Sequence, residues 1–243
     1  MRIALLADVH ANLEALLAVL RKIDSSRVDE IWCIGDIVGY GADPLACLQL
    51  IRQNCSLVVQ GNHDIAATLP HTPDNFTLNA HIAADWTRRQ LNEESLAWLA
   101  ALPVEQKRHR LHVFHSSLIY TNAYITSREE AQANIRFMEQ YPNTLGGFFG
   151  HTHIPCFIQE PGLFRNMHTA THILVDPEKP FLANPGSTGQ ARNRSPKAWF
   201  AVLDTQDSFL QFFAVSYEIG IAQRKILEAG LPAFLAERLE FGI

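Results

Sequence analysis

Short apolar runs in this chain repeatedly end in clusters of oxygen- and nitrogen-donor residues, and that pattern restricts the fold. Asp8-Val9-His10 follows Ile3-Ala4-Leu5-Leu6-Ala7, and Gly35-Asp36 follows Ile31-Trp32-Cys33-Ile34. Gly61-Asn62-His63-Asp64 follows Leu57-Val58-Val59, and Gly150-His151-Thr152-His153 follows Phe148-Phe149. A thinner case is His115 after Leu111-His112-Val113-Phe114. Apolar runs of this length read as buried strands. Donors at the ends of several such strands converge when the strands share one sheet edge.

Between the first three runs the periodicity turns helical. Leu13, Leu16, Leu17, Leu20 and Ile23 mark one inner face after Asn12. Asp43-Pro44 supplies an N-cap and a proline at the first helical position, with Leu45, Leu48 and Ile51 facing inward. The order β-α-β-α-β implies right-handed crossovers and a parallel sheet, whose ligands gather at the carboxyl ends of the strands. Asp8, Asp36 and Asn62 fall at that edge. Further helices are predicted over 78–90, 93–102 and 127–140, with strands near 111–115 and 145–149. Strands follow at 154–160, 172–175 and 180–184, then a hairpin of 198–203 and 208–216 across Asp204-Thr205-Gln206-Asp207, then a helical tail from 217. Two sheets with helices outside them accommodate this α/β order, as a single domain over 1–243.

A formal charge of −5 with no basic stripe argues against a stable nucleic-acid partner, but leaves a small nucleotide admissible. No apolar stretch approaches the roughly 20 residues of a membrane span. Asp8 cuts the first apolar run too early for a signal sequence. Cys33, Cys47, Cys55 and Cys156 form no CxxC pair, which suits reduced thiols in a cytoplasmic protein. Oligomeric state is left open.

Seven residues are candidate metal ligands: Asp8, His10, Asp36, Asn62, His115, His151 and His153. In extended backbone the i, i+2 pairs Asp8/His10 and His151/His153 project to one side. Imidazole with carboxylate and amide oxygen suits Mn, Fe, Zn, Ni or Co, with Mn the first choice, and the absence of thiolate argues against structural zinc. Seven ligands exceed one tetrahedral ion and suit two divalent transition-metal ions sharing Asp36. Two such ions outweigh two carboxylates and a bridging hydroxide, so the site is net positive and receptive to a phosphoryl group. Ions about 3.5–4 Å apart generate a hydroxide nucleophile and clamp the oxygens of an in-line displacement. His63 stands beside the ligand Asn62 and is the candidate catalytic residue, donating a proton or hydrogen bond to the phosphoryl or leaving-group oxygen. Asp64 is expected to orient its ring and raise its basicity.

With these residues in order, the chain resembles the calcineurin-like metallophosphoesterases, whose pattern DxH…GD…GNH(D/E)…H…GHxH runs across residues 8–153. The resemblance implies a four-layer αββα sandwich of two mixed β-sheets flanked by helices. It implies one metal held by Asp8, His10, Asp36 and His153, and another by Asp36, Asn62, His115 and His151. His63 matches the catalytic histidine. Residues 37–44 and 184–192 look like a small bacterial and archaeal branch that includes predicted phosphodiesterases and diadenosine-tetraphosphate hydrolases. One departure is Ser116 where the family usually has glycine after the histidine; His112 is a nearby alternative to His115, but its i−3 position puts it on the opposite strand face.

The expected reaction is hydrolysis of a small phosphodiester or dinucleoside polyphosphate by a metal-bridging hydroxide. The alternatives are a phosphomonoesterase acting on nucleotides or phosphoproteins, and a non-catalytic scaffold such as the retromer subunit that shares the fold. The complete catalytic set at His63 separates this chain from that scaffold. Candidate substrate contacts are Asn12, Tyr40 and Arg192, with Phe76 and Arg194 beside them. For Asn12 a helix N-cap is the better reading.

Overall fold

Alternation along β1 (Arg2–Leu6) decides the layering of the molecule. Ile3 and Leu5 enter one core while Ala4 and Leu6 enter another on the opposite face. In this computed structural model, which describes residues 1–159 and 165–243, β1 pairs in parallel with β2 (Glu30–Cys33), which pairs in parallel with β3 (Leu57–Val58). The other edge of β1 takes β11 (Ala198–Asp204) antiparallel. The hairpin partner β12 (Phe209–Val215) and then β9 (Thr171–Leu174) extend that side, giving the order β3-β2-β1-β11-β12-β9.

A second six-stranded sheet runs β4-β5-β6-β10-β7-β8. Its central strands β5 (Leu111–Phe114), β6 (Gly146–Phe148) and β10 (Phe181–Asn184) are parallel. β4 (Glu105–Arg108), β7 (Cys156–Gln159) and β8 (Arg165–Asn166) are antiparallel additions. The end of the expected strand 154–160 lies outside the described residues. The inner faces of both sheets meet in one core that includes Ile3, Leu5, Trp32, Val113, Phe148, Phe181 and Trp199. Leu16, Val19 and Ile23 of α1 (Leu13–Asp24), with Leu48 and Ile51 of α2 (Pro44–Asn54), cover the outer face of the first sheet. Ala131, Ile135 and Met138 of α6 (Arg128–Met138) cover the second. The result is the expected αββα sandwich.

Helix α1 opens on Asn12, whose Oδ1 accepts from the Ala15 amide at 3.1 Å, and ends with Arg21 and Lys22 in its last turn. Leu17, expected on its inner face, is exposed, because the buried face runs through Ala15, Leu16, Val19 and Leu20 instead. Pro44 opens α2 as expected, but Asp43 makes no side-chain cap. Its carboxylate bonds Lys225 Nζ at 2.9 Å, and the same ammonium reaches Glu14 at 2.6 Å. Lys225 thereby ties α7 (Ile219–Glu228) to the starts of α1 and α2. Helices α7 and α8 (Ala233–Phe241) pack on each other through Ala222, Ile226, Leu235 and Leu239, with Tyr40 and Ala42 against them.

The middle of the chain carries α4 (Leu78–Gln90) and α5 (Glu93–Ala100), close to their expected limits. Three elements appear where the sequence predicts loops, the short β8 among them. Strand β4 is the polar run Glu-Gln-Lys-Arg, held at a sheet edge by its ladder to β5 rather than by apolar alternation. Helix α3 (Asn62–Thr68) begins inside the Asn-His-Asp cluster itself. All four cysteines are free thiols, and no helix among the described residues is long and apolar enough to cross a membrane.

The loop after β10 clamps the end of β1. Thr188 N–H donates to Ala7 O at 2.9 Å, while Gly189 N–H and Ser187 Oγ donate to Asp8 O at 2.9 and 2.8 Å. A Cβ on Gly189 would stand 1.8 Å from the Val9 carbonyl oxygen, whereas Gly220 in α7 has open space around it. Gly189→Ala is therefore expected to lower unfolding stability by about 2 kcal/mol or more. Gly220→Ala should raise it by roughly 0.5–1 kcal/mol. Denaturant melts of the two variants check both signs.

Candidate metal centre

The donor residues sit on left-handed backbone rather than on extended strand. Asp8, His10 and Ala11 have φ of 53°, 46° and 52°, Asp36 has 53°, and His151 and His153 have 67° and 60°. Strand alternation thus does not align the Asp8/His10 and His151/His153 pairs. Tight turns beyond the strand ends fold each pair back over the sheet edge. Asp and His tolerate this region better than most residues, and Gly35 at φ 82° leads into Asp36. The first two turns are bonded to each other: Asp8 N–H donates to Gly35 O at 3.1 Å, His10 N–H to Asp36 O at 2.9 Å, and Ala11 N–H to Ile37 O at 2.9 Å. The third turn closes on Asp36. His63 N–H donates to Asp36 Oδ1 at 2.8 Å, and a Cβ on Gly61 would lie 2.1 Å from that oxygen.

All seven candidate ligands from the sequence meet here. Ligand atoms of Asp8, His10, Asp36 and His153 lie within 4.8 Å of one another, as do those of Asp36, His115 and His151. Asp36 belongs to both groups. Asn62 Oδ1 lies 3.2 Å from His115 Nε2, which is also 3.2 Å from Asp36 Oδ2. His112, the alternative to His115, points away and bonds Glu105 Oε2 at 2.9 Å.

Main-chain carbonyls fix which ring nitrogen of each histidine faces the centre. Nδ1 of His10, His115 and His153 donates to the carbonyls of Val38 (3.1 Å), Ile34 (2.7 Å) and Gln190 (2.6 Å). His151 uses Nε2 instead, donating to Asn122 O at 3.0 Å. In the neutral rings of His10, His151 and His153 the remaining nitrogen is a lone pair aimed inward, while the remaining nitrogen of His115 faces Asp36 Oδ2 at 3.2 Å. His10 Nε2 and His153 Nε2 then face each other at 3.1 Å with no proton between them, and buried Asp8 Oδ2 has no hydrogen-bond partner. Converging lone pairs with an orphaned carboxylate oxygen repel one another unless a cation lies between them, so the residues present fit a divalent metal site.

The charge states agree. Burial holds His10 and His153 well below the usual imidazole range and His151 at about 4, so these rings stay neutral, the form that can bind a metal. Burial also lowers His115, but Asp36 and Asp8 overcome it and push that ring up to about 10. The protein's own carboxylates thus call for positive charge at this point. Asp8 rises to about 7 through burial, offset in part by His115.

His63 lines the cleft beside the centre, its ring 4.4 Å from Tyr40, 4.9 Å from Phe76 and 4.9 Å from His10 between centroids. The expected role of Asp64 behind this ring is corrected by the structure. Asp64 Oδ1 accepts from the amides of Ile37 and Val38 at 2.9 and 3.1 Å, and Oδ2 from Gly61 at 3.0 Å. Both oxygens are spent on backbone because Asp64 occupies the first turn of α3, facing the loop after β2. His63 Nδ1 is buried without a partner, and burial lowers its pKa to about 4 rather than raising its basicity.

Asn12 takes the helix-cap role: its Oδ1 accepts from the Ala15 amide and its Nδ2 donates to Gly189 O at 2.7 Å. Tyr40, Phe76 and Arg192 line a cleft of about 160 Å³ together with Asn62, His63 and His151. Arg194 is exposed and outside that lining. Ser116 has a structural use: its Oγ accepts from Asn122 N–H at 3.2 Å, and Asn122 O is the acceptor that orients His151. Tyr124, stacked on the His151 ring at 4.3 Å, and the orienting carbonyls went unread in the sequence, since a carbonyl has no side-chain signature.

An αββα sandwich whose strand ends bring Asp and His donors together is the architecture of a metallophosphoesterase. Residues 1–208 match the calcineurin-like phosphoesterase superfamily domain, and the chain belongs to that superfamily of phosphate-ester hydrolases. It is 35% identical to an uncharacterized protein of Methanocaldococcus jannaschii over 99% of this chain and 98% of that one. A crystal structure of a metallophosphoesterase from Sphaerobacter thermophilus is 35% identical, covers 100% of this chain and 99% of its own, and superposes with a TM-score of 0.87. A symmetrical bis(5'-nucleosyl)-tetraphosphatase of Erwinia tasmaniensis is 26% identical over 60% of this chain and 56% of that protein.

The hydrogen-bond pattern sets two expectations. Asp64→Ala should weaken metal affinity about 10–100-fold by freeing the turn that carries Asp36, as loss of a ligand-orienting group does. Metal titration of the variant checks this, and an intact affinity would show the turn to be held without Asp64. Removing a ligand of one group only, as in His115→Ala, should roughly halve the bound metal measured by elemental analysis, because Asp8, His10, Asp36 and His153 remain.

Proposed function

We propose that the protein holds two divalent transition-metal ions, manganese first among Mn, Fe, Zn, Ni and Co, and hydrolyses small phosphodiesters or dinucleoside polyphosphates. The observation that carries this reading is the pair of donor groups sharing Asp36. In it, Asp8, His10, Asp36 and His153 hold one ion, and Asp36, Asn62, His115 and His151 hold the other. Bound there, the ions supply a water of lowered pKa and positive charge facing the phosphoryl oxygens.

The chain's own residues do the rest. His63 enters as a neutral ring, because burial and the Arg192 charge disfavour the imidazolium. A phosphate anion arriving in the cleft supplies the opposite charge that favours protonation. His63, protonated from solvent as the anion binds, then delivers that proton to the leaving oxygen as the P–O bond to the leaving group breaks and the water oxygen forms the new one. Tyr40 and Phe76 flank His63 on both sides and restrict its rotation, while Tyr124 covers His151. These aromatic faces also suit a nucleobase, and the likeness to the bis(5'-nucleosyl)-tetraphosphatase supports a nucleotide substrate. Four free thiols fit a reducing compartment, and we place the enzyme in the cytoplasm.

His63→Ala should lower kcat by about 10²–10⁴ while the metal content stays unchanged. Loss of metal from that variant would make His63 a ligand instead. Activity that survives chelation would overturn the metal mechanism. A Mn²⁺-supplemented panel of monoesters, diesters, cyclic nucleotides and dinucleoside polyphosphates decides the substrate class.

A further inference from the structure

A second cavity, which His63 does not line, opens on one half of the metal centre. It measures about 260 Å³, against about 160 Å³ for the cleft that holds His63, and has Asn62 and His115 in its wall. Asn62 and Asn122 line both spaces, so both adjoin the donor group of Asp36, His115 and His151. Asn122 is also the residue whose carbonyl orients His151.

The two walls differ in chemistry. The first carries His63, the proton donor to the leaving oxygen, and the cation Arg192. The second is built from Ile65 of α3, Val104 ahead of β4, Phe114 at the end of β5 and Leu118 in the segment that follows. Ile65 and Leu118 are half-buried, and Val104 is 61% exposed although it belongs to this apolar wall. No lysine or arginine is among the described residues that line the cavity. Its one carboxylate outside the metal centre, on Glu105, is bonded to His112 Nε2 at 2.9 Å. The other polar groups are neutral, among them the exposed Thr121 and the side-chain amide of Asn122. Such a wall suits an uncharged group with an apolar face and a few hydroxyls. It offers nothing to offset the desolvation of a phosphate.

This difference sorts the two arms of a phosphodiester. The leaving oxygen takes its proton from His63, so the leaving arm lies in the first cleft. The arm that enters the second cavity is then the one retained on phosphorus. We propose that the cavity between α3, β4 and the segment 116–122 is a subsite for the retained, uncharged arm of a phosphodiester, such as a nucleoside. The proposal rests on the phosphoesterase reading of the centre and narrows it. A monoester has no such arm, and a dinucleoside polyphosphate cut symmetrically would retain a charged phosphate against a wall without a cation.

The test uses the metal-loaded full chain and two esters that share a leaving group. One is p-nitrophenyl thymidine 5'-phosphate, whose retained arm is an uncharged nucleoside; the other is p-nitrophenyl phosphate, which has no retained arm. Val104→Trp, which fills the cavity from an exposed position, should lower the ratio of kcat/KM for the diester over the monoester about 10–100-fold, the range of lost burial of one large apolar group. KM for the diester should carry most of the change. Thermal unfolding confirms that the variant is folded, and Thr121→Trp takes its place if it is not. An unchanged ratio overturns the subsite. Methyl NMR with thymidine alone reads the cavity without any chemistry: shifts at Ile65, Val104 and Leu118 support the subsite, and their absence removes it. If the unsubstituted protein hydrolyses neither ester, the reading of the centre fails by itself, and the thymidine shifts still decide the cavity.

Discussion

Three main-chain hydrogen bonds between the turns after β1 and β2 hold the whole centre in place. They run from the amides of Asp8, His10 and Ala11 to the carbonyls of Gly35, Asp36 and Ile37. Without them the left-handed backbone at Asp8, His10 and Asp36 would relax, at roughly 1–3 kcal/mol for each strained residue. The loop after β10 adds its own bonds to Ala7 O and Asp8 O, and Asp64 secures Ile37 and Val38. The ligands are therefore preset by backbone that belongs to the core, not by side-chain flexibility. Alternation in β1 supplies the rigidity beneath, since it anchors the same strand in two hydrophobic layers.

Electrostatics then follow from geometry. Carbonyls of Val38, Ile34, Gln190 and Asn122 spend one nitrogen of each histidine, so the lone pairs of His10, His151 and His153 face inward beside two carboxylates, and His115 turns its other nitrogen to Asp36. The strong rise at His115 and the fall at His10 and His153 are two sides of that single arrangement. Where Asp36 and Asp8 dominate, the ring takes up positive charge; where burial dominates, it stays neutral.

Much of this was legible in the sequence, because strand-end donors and helical periodicity report directly on layers and edges. The parallel order of β1, β2 and β3, the two sheets, and the convergence of Asp8, Asp36 and Asn62 all follow from patterns of apolar residues. The sequence misleads where a residue has more than one possible partner. Asp64 was assigned to its neighbour His63, but backbone amides of a loop twenty-odd positions upstream claim it. Asp43 was assigned to its own helix, but Lys225 claims it. Polar β4 carries no alternation to read, and the packing of α7 and α8 on the loop carrying Tyr40 joins residues far apart in the chain.

The serine that departs from the family's usual glycine has a wider meaning. Ser116 Oγ holds Asn122, and Asn122 holds His151, so a surface segment and a ligand orientation share one chain of bonds. Thermodynamic reciprocity applies to such a chain: whatever favours the ordered segment favours the ligating rotamer, and occupation of the ligand in turn orders the segment. His10 and His153 have no comparable dependence, since their carbonyl partners Val38 and Gln190 are buried in the body of the fold. A loop on the outside of the molecule is in this way energetically part of one half of its centre and indifferent to the other.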